Sequence, residues 1–273
     1  MLRREVSPED PRQADLPPAA LAAIERVQSE KDQFLDLVAH ELKTPLTPLK
    51  TVAQLIRMRI RRALEGTREL DIRGLDKNAA MIERQVDRMD RLVTDLLEVA
   101  RIARGRFGLD PGEFDVAEVT REGVRRWSEA AEEVEQVRHR FELDAPPTAP
   151  LVGDRERVAH AIADLIGNAV KFSPSGGTVH VNVDARGGEV AVTVRDEGIG
   201  IPPSEIAALG RAPFAGRERT KDYAGLGVGL YLVRVIAEGH GGGLELSSEG
   251  EDRGTTATMR LRNMAMEQAA ASS

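Results

Sequence analysis

Residues able to do chemistry together fall in a few short stretches of this 273-residue chain. His40 lies in FLDLVAHELKTPLTPL (residues 34–49), with the acid Glu41 beside it. An imidazole with one free ring nitrogen is a nucleophile and proton carrier near neutral pH. Three glycine-bearing stretches follow in the second half: DEGIGIP from Asp196, GLGVGL from Gly225, and GTT from Gly254. Glycines let backbone N–H groups approach phosphate oxygens, and a helix start adds a field that favours anions. Ahead of them, DLIGNAVKF (residues 164–172) holds Lys171 and Asn168, whose amide oxygen suits a hard cation such as Mg²⁺. There is no GxxxxGK[ST], and the Gly225 run follows a polar loop, which excludes a P-loop and disfavours a dinucleotide fold. Singly, each glycine stretch reads as an ordinary turn, and Asn168 as readily as a satisfied core amide.

The elements that must carry these residues differ between the two halves. Around His40, Leu35, Ala39, Leu42, Leu46, Leu49, Ala53, Ile56 and Ile60 alternate in steps of four and three, a seam on one helix face. At roughly 100° per residue, His40 lies about 120° from the middle of that seam and points outward. Pro45 and Pro48 interrupt the backbone bonding just after it, and the seam resumes in register, so one bent helix runs to about Leu64. A polar turn, Glu65–Gly74, leads to a second seam: Leu75, Ala79, Ile82, Val86, Met89, Val93, Leu96, Ala100 and Ala103. The two helices make an antiparallel hairpin. Alone, a hairpin leaves apolar surface wet; packing on the C-terminal domain or pairing with a second hairpin would cover it, and the expected arrangement is a homodimeric four-helix bundle.

Beyond a linker at 105–111 the pattern becomes α+β. Helices are expected over Val116–Ala131, Arg155–Val170 and Leu230–Glu238. Val179, Val181 and Val183 alternate with polar residues, as do Val190, Val192 and Val194, with Arg186-Gly187-Gly188 between: a β-hairpin with a glycine turn. Leu244–Ser248 and Thr255–Leu261 read as a second hairpin. The domains are therefore a Pro-rich leader at 1–18, a helical hairpin at 19–104, the linker, an α/β domain at 112–263 and a tail at 264–273.

Composition narrows the class. The chain has no cysteine, which excludes disulfide and thiol chemistry. Its net charge of −7 argues against nucleic-acid binding by bulk positive charge. No run approaches the ~18 apolar residues of a membrane span, and the polar N-terminus is not a signal peptide, so a cytoplasmic location is expected. The initiating Met and the Pro-rich leader favour a natural start.

Taken in order, the stretches resemble the two-component sensor histidine kinases over residues 31–262. HELKTP resembles the phosphoacceptor box, DLIGNAVKF the box that holds Mg²⁺ and ATP, and DEGIGIP the loop whose aspartate reads the adenine amino group. GLGVGL resembles the glycine loop on the phosphates and GTT the terminal glycine box. The resemblance implies a Bergerat-type ATP-binding sandwich shared with gyrase, Hsp90 and MutL. It implies that His40 attacks the γ-phosphate of Mg²⁺–ATP, with Glu41 orienting the ring and acting as base, and that the phosphoryl group passes to an aspartate on a response regulator receiver domain. It carries Mg²⁺ to Asn168, and nucleotide contact to Asn168, Lys171, Phe172, Asp196, Gly198, Gly200, Ile201, Gly225, Gly227, Gly229, Leu230 and Thr256. ELKT also resembles a pattern associated with regulator phosphatase activity, in which Thr44 would position a water.

Asp164 stands where the family's first Asn usually stands, and Arg211–Phe214 keeps one of the two usual lid phenylalanines. Arg217, Arg219 and Lys221 offer lid cations that either contact the γ-phosphate or form a solvated basic loop. His240, before Gly241-Gly242, reads as a structural helix end. These departures leave a second reading, a catalytically degenerate, ATP-responsive dimer that acts as a binding module.

Overall fold

The computed structural model describes residues 18–66, 69, 71–132, 139–215, 223 and 225–263. The leader, the tail and the lid cations Arg217, Arg219 and Lys221 lie outside them. The chain divides into two compact units, Met1–Asp90 and Arg91–Ser273, so the second half of the second helix belongs with the α/β unit.

The first unit is built from α1 (Pro18–Leu64) and the start of α2 (Ile72–Ala103). Pro45 and Pro48 sit inside α1, and the helix continues past both, as the unbroken seam required. Threonines bond the carbonyls of the same region: Thr44 Oγ1 donates to the His40 carbonyl at 2.9 Å and Thr51 Oγ1 to that of Thr47 at 3.1 Å. α2 starts before the expected end of the turn at Gly74, because the Asp71 carboxylate accepts the Gly74 N–H at 2.9 Å and caps the helix. Val52 is buried at 4 % exposure, whereas Leu35, Leu46, Leu55, Ile60 and Val86 are exposed.

The second unit is a two-layer sandwich. Its five-stranded sheet has the order β2 (His139–Asp144), β4 (Gly177–Arg186), β5 (Glu189–Arg195), β7 (Thr256–Arg262), β6 (Gly243–Ser247). β2 runs parallel to β4, and the other neighbours are antiparallel. The β4–β5 turn is the expected one: Arg186 pairs with Glu189, and Gly187 and Gly188 take φ of 59° and 82°, as a two-residue hairpin of this twist demands. Val179, Val181, Val183, Val192, Met259 and Leu261 point to one face, against α3 (Val116–Glu132), α4 (Arg155–Lys171) and α6 (Gly229–Gly239). The other face is polar: Thr193 and Thr258 share a 3.0 Å hydrogen bond, and His180 pairs with Glu142 at 3.1 Å.

Four elements were not expected: β1 (Gly112–Asp115), β2, β3 (Pro150–Gly153) and the short helix α5 (Pro203–Ile206). β1 and β3 pair only with each other, and one Asp115 oxygen ties them to α3 by accepting the N–H groups of Ala117, Glu118 and Ala149.

Candidate functional site

The residues picked out by sequence fall in both units. On α1, His40 is exposed and Glu41 is only 5 % exposed, because successive helix positions point about 100° apart. Glu41 is thus buried where its neighbour His40 is open to solvent. Thr44 is exposed one turn later; its hydroxyl hydrogen is spent on the His40 carbonyl, which leaves its lone pairs outward.

In the second unit, α4, the β5 end, α6 and the strand β7 surround a cleft. Asn168, Lys171 and Phe172 reach it from the last turns of α4; Asp196, Gly200 and Ile201 come from the loop after β5; Gly227, Gly229 and Leu230 come from the start of α6. Of the remaining candidates, Gly198 underlies the cleft instead of lining it. A Cβ there would stand 2.2 Å from the Phe172 carbonyl oxygen, so only glycine lets the loop pass under α4. Gly225 has φ +128° and lies beside the Lys171 ammonium. Thr256 is the first residue of β7, and its neighbour Thr255 is the one that lines the cleft.

Asp196 is the polar group at the floor. Its Oδ1 accepts the N–H groups of Gly198 at 2.9 Å and Thr255 at 3.1 Å, and its own N–H donates to the Thr255 carbonyl at 2.9 Å. Burial pushes its carboxyl above the usual carboxylate range, opposed by those two N–H bonds. With Oδ1 so occupied, Oδ2 is the acceptor left for a ligand amino group. Leu165, Val194, Leu246 and Ala257 supply apolar walls around it, a slot for a flat aromatic base.

The other end of the cleft suits anions. α6 begins at Gly229 with no side-chain cap bond and no acid in its own first turn, which leaves its positive end toward the cleft, beside the Asp164 carboxylate. The Lys171 ammonium sits 4.5 Å from the Phe172 ring centre at the same end of α4, and Phe172 also packs on Tyr223 with ring centres 5.1 Å apart. The Asn168 side chain lines the cleft, its amide nitrogen on the Gly229 side, and its amide oxygen is the donor type Mg²⁺ prefers. In the lid, Phe214 holds a left-handed φ of 68° and donates its N–H to the Gly227 carbonyl at 3.1 Å, tying the lid to the glycine loop.

Two further groups were read less completely from sequence. His240 is fully buried: Nε2 accepts the Asp154 N–H at 2.9 Å and Nδ1 lies 2.7 Å from the Ile236 carbonyl, which fixes the neutral Nδ1–H tautomer. Asp154 in turn caps α4 by accepting the Arg157 N–H at 3.1 Å, so His240 joins the end of α6 to the start of α4. Burial lowers the His240 pKa, which accords with its structural reading. Asp164 stands at the edge of the cleft, its Oδ2 beside Gly229 at the start of α6; burial pushes its carboxyl up to about 7, and its Oδ1 faces His160, 3.9 Å away.

Residues 30–105 match the His Kinase A (phospho-acceptor) domain, and residues 153–264 match the histidine kinase-, DNA gyrase B- and HSP90-like ATPase. The histidine protein kinase DivJ of Caulobacter vibrioides is 29 % identical over 258 residues, covering 94 % of this chain and 41 % of the relative. The adaptive-response sensory kinase SasA of Thermosynechococcus vestitus is 30 % identical over 222 residues, covering 80 % and 57 %. The chain thus spans about half the length of these relatives. In fold, it is similar to the histidine kinase AdeS of Acinetobacter baumannii, with a TM-score of 0.53, 22 % identity, and coverage of 82 % of this chain and 97 % of that one. A phosphoacceptor-type helical region followed by a gyrase-like ATPase domain, matched in that order at residues 30–105 and 153–264, makes this protein a member of the two-component sensor histidine kinase family.

Proposed function

We propose that this chain is an ATP-dependent protein-histidine autokinase that phosphorylates His40 and passes the phosphoryl group to an aspartate on a response regulator receiver domain. The observation that carries the reading is the pairing, in one chain, of an exposed histidine on α1 with a cleft whose floor is the half-satisfied carboxylate of Asp196. ATP is the substrate: Oδ2 of Asp196 accepts from the adenine amino group, and the uncapped start of α6, with Lys171, holds the phosphates. Asn168 is the residue that would hold Mg²⁺, which, when bound, offsets charge on the phosphate oxygens.

A lone pair of a His40 ring nitrogen forms the N–P bond to the γ-phosphorus. The bond from that phosphorus to the β–γ bridging oxygen breaks, ADP leaves with the electron pair, and Glu41 takes the proton from the imidazole. Thr44, with its outward lone pairs, orients a water for the reverse duty, hydrolysis of the phosphorylated regulator.

The exposed apolar stripe of the first unit supports a homodimer, since a second copy of the same helices would cover it. Among the described residues no helix is long and apolar enough to cross a membrane, which accords with a cytoplasmic location for this part of the protein.

The test is incubation of the purified chain with Mg²⁺ and γ-labelled ATP, followed by a chase with receiver domains. Acid-labile, base-stable label that moves to a receiver domain is the expected result. Nucleotide binding without label on the chain would overturn the autokinase reading.

A further inference from the structure

Outside the cleft, one cluster of side chains converges without an evident purpose. Asp95 on α2 and His160 on α4 are 65 positions apart, yet Asp95 Oδ1 lies 3.1 Å from His160 Nε2. Asp164, one turn along α4, brings its Oδ1 to 3.9 Å from the same nitrogen. One donor atom from each of the three residues lies within 4.8 Å of the others.

The His160–Asp95 ion pair does not account for the whole cluster. Asp95 Oδ1, His160 Nε2 and Asp164 Oδ2 are all buried atoms with no well-aligned hydrogen bond, so the 3.1 Å approach is close but not aligned as an N–H···O bond. One proton on the imidazole would still leave two carboxylates sharing it in a half-buried site, with Arg91 and Lys171 as the further positive charges that act on Asp164. The nearby Arg157 does not serve them: it pairs with Glu98 at 3.5 Å and Asp154 at 3.3 Å.

We propose that Asp95, His160 and Asp164 form a binding site for one divalent transition-metal ion of the zinc class, which ties α2 to α4. Metal–ligand bonds of about 2.0–2.2 Å in a tetrahedron require donor atoms about 3.3–3.6 Å apart. The two spacings here bracket that range. Two carboxylates and a neutral imidazole carry the two negative charges that a dication balances. The donor set also selects the metal: an imidazole nitrogen with two carboxylate oxygens suits zinc-like ions, whereas Mg²⁺ and Ca²⁺ need six or more oxygens. Three protein ligands leave the fourth position for water. Asp95 and His160 do not line the nucleotide cleft, whereas the Asp164 carboxylate also lies beside Gly229 at its edge, so the test is run without nucleotide and reads metal binding directly, not kinase activity.

The experiment is a titration of the full chain with Zn²⁺ against a chromophoric chelator, without nucleotide or Mg²⁺, with Co²⁺ as a spectroscopic substitute. One Zn²⁺ per chain is expected, with ligand-field absorption when Co²⁺ is bound. His160→Ala and the near-isosteric Asp95→Asn should each weaken binding by at least about 100-fold, since even outer-shell changes cost 10- to 100-fold. His180→Ala, which removes the exposed His180–Glu142 pair, should leave it unchanged. Zn²⁺ should also raise the Tm of the native chain but not that of Asp95→Asn. The absence of micromolar binding and of a Tm shift in the native chain, or binding that survives in both Asp95→Asn and His160→Ala, would overturn the proposal.

Discussion

The two units solve the problem of apolar surface differently. The α/β unit closes on itself: Ile162, Ile166, Val192, Met259 and Leu261 are fully buried between three helices and one sheet face. The helical unit does not. Leu46 is 48 % exposed and Leu64 84 % exposed, although both continue a regular apolar pattern. A sheet with helices on one face can bury its own apolar residues, whereas two helices have too few neighbours to do so. Stability of the first is internal; stability of the second depends on what it meets.

The comparison can be broken by truncating one side chain in each unit. Ile166→Ala should cost about 2–5 kcal/mol, measured by denaturant unfolding of the α/β transition, and the cost should not depend on protein concentration. If a second copy covers Leu46, as proposed, Leu46→Ala should shift the helical transition only in a concentration-dependent way. A concentration-independent loss at Leu46 would mean that the hairpin carries its own core.

Next in size is Asp196→Asn. The amide can keep its oxygen on the Gly198 and Thr255 N–H groups but would present an NH₂ donor to the adenine amino group. Adenine-nucleotide affinity should fall at least about tenfold, in line with about 1.5–3 kcal/mol for a charged hydrogen bond, with little change in Tm. Equal loss of affinity and fold stability would make Asp196 structural.

How far the sequence carried depended on the range of each signal. α4, α6 and the β4–β5 hairpin were legible because their periodicity or turn glycines are local. β1 and β3 are four residues each, too short for alternation to register, and the Phe141–Leu143 alternation in β2 is brief. Most of the residues proposed for the cleft line it because they belong to contiguous motifs. Thr256 was the residue expected from the last of these, whereas Thr255 lines the cleft, held there by its bonds to Asp196 and not by a local pattern. The Asp95–His160 contact joins residues with no local pattern, and no periodicity announces it. His240 was read as a helix end; its bond to Asp154, 86 positions away, came only with the fold.

A smaller effect separates the units by pH. Because burial holds His240 neutral, the unfolded chain binds its proton first as pH falls below about 6.5, so ν_U exceeds ν_N and stability drops with acid. The α/β transition of the native chain should lose stability as pH falls below about 6.5. His240→Gln should be less stable at pH 7 and lack that part of the slope, while the helical transition keeps the same pH dependence in both chains. An unchanged slope in the variant would remove His240 from the account. Smallest for the fold is Thr44→Ala: Tm and His40 labelling should stay within error, and regulator dephosphorylation should be lost.

The central claim is a division of labour, with the phosphoryl acceptor in the helical unit and nucleotide recognition in the α/β unit. The most direct measurement takes the native and His40→Gln chains together, reading affinity for a non-hydrolysable ATP analogue and label from γ-labelled ATP. The account predicts equal affinity, with label on the native chain alone. Label that persists on His40→Gln, or affinity that disappears with it, would contradict that division.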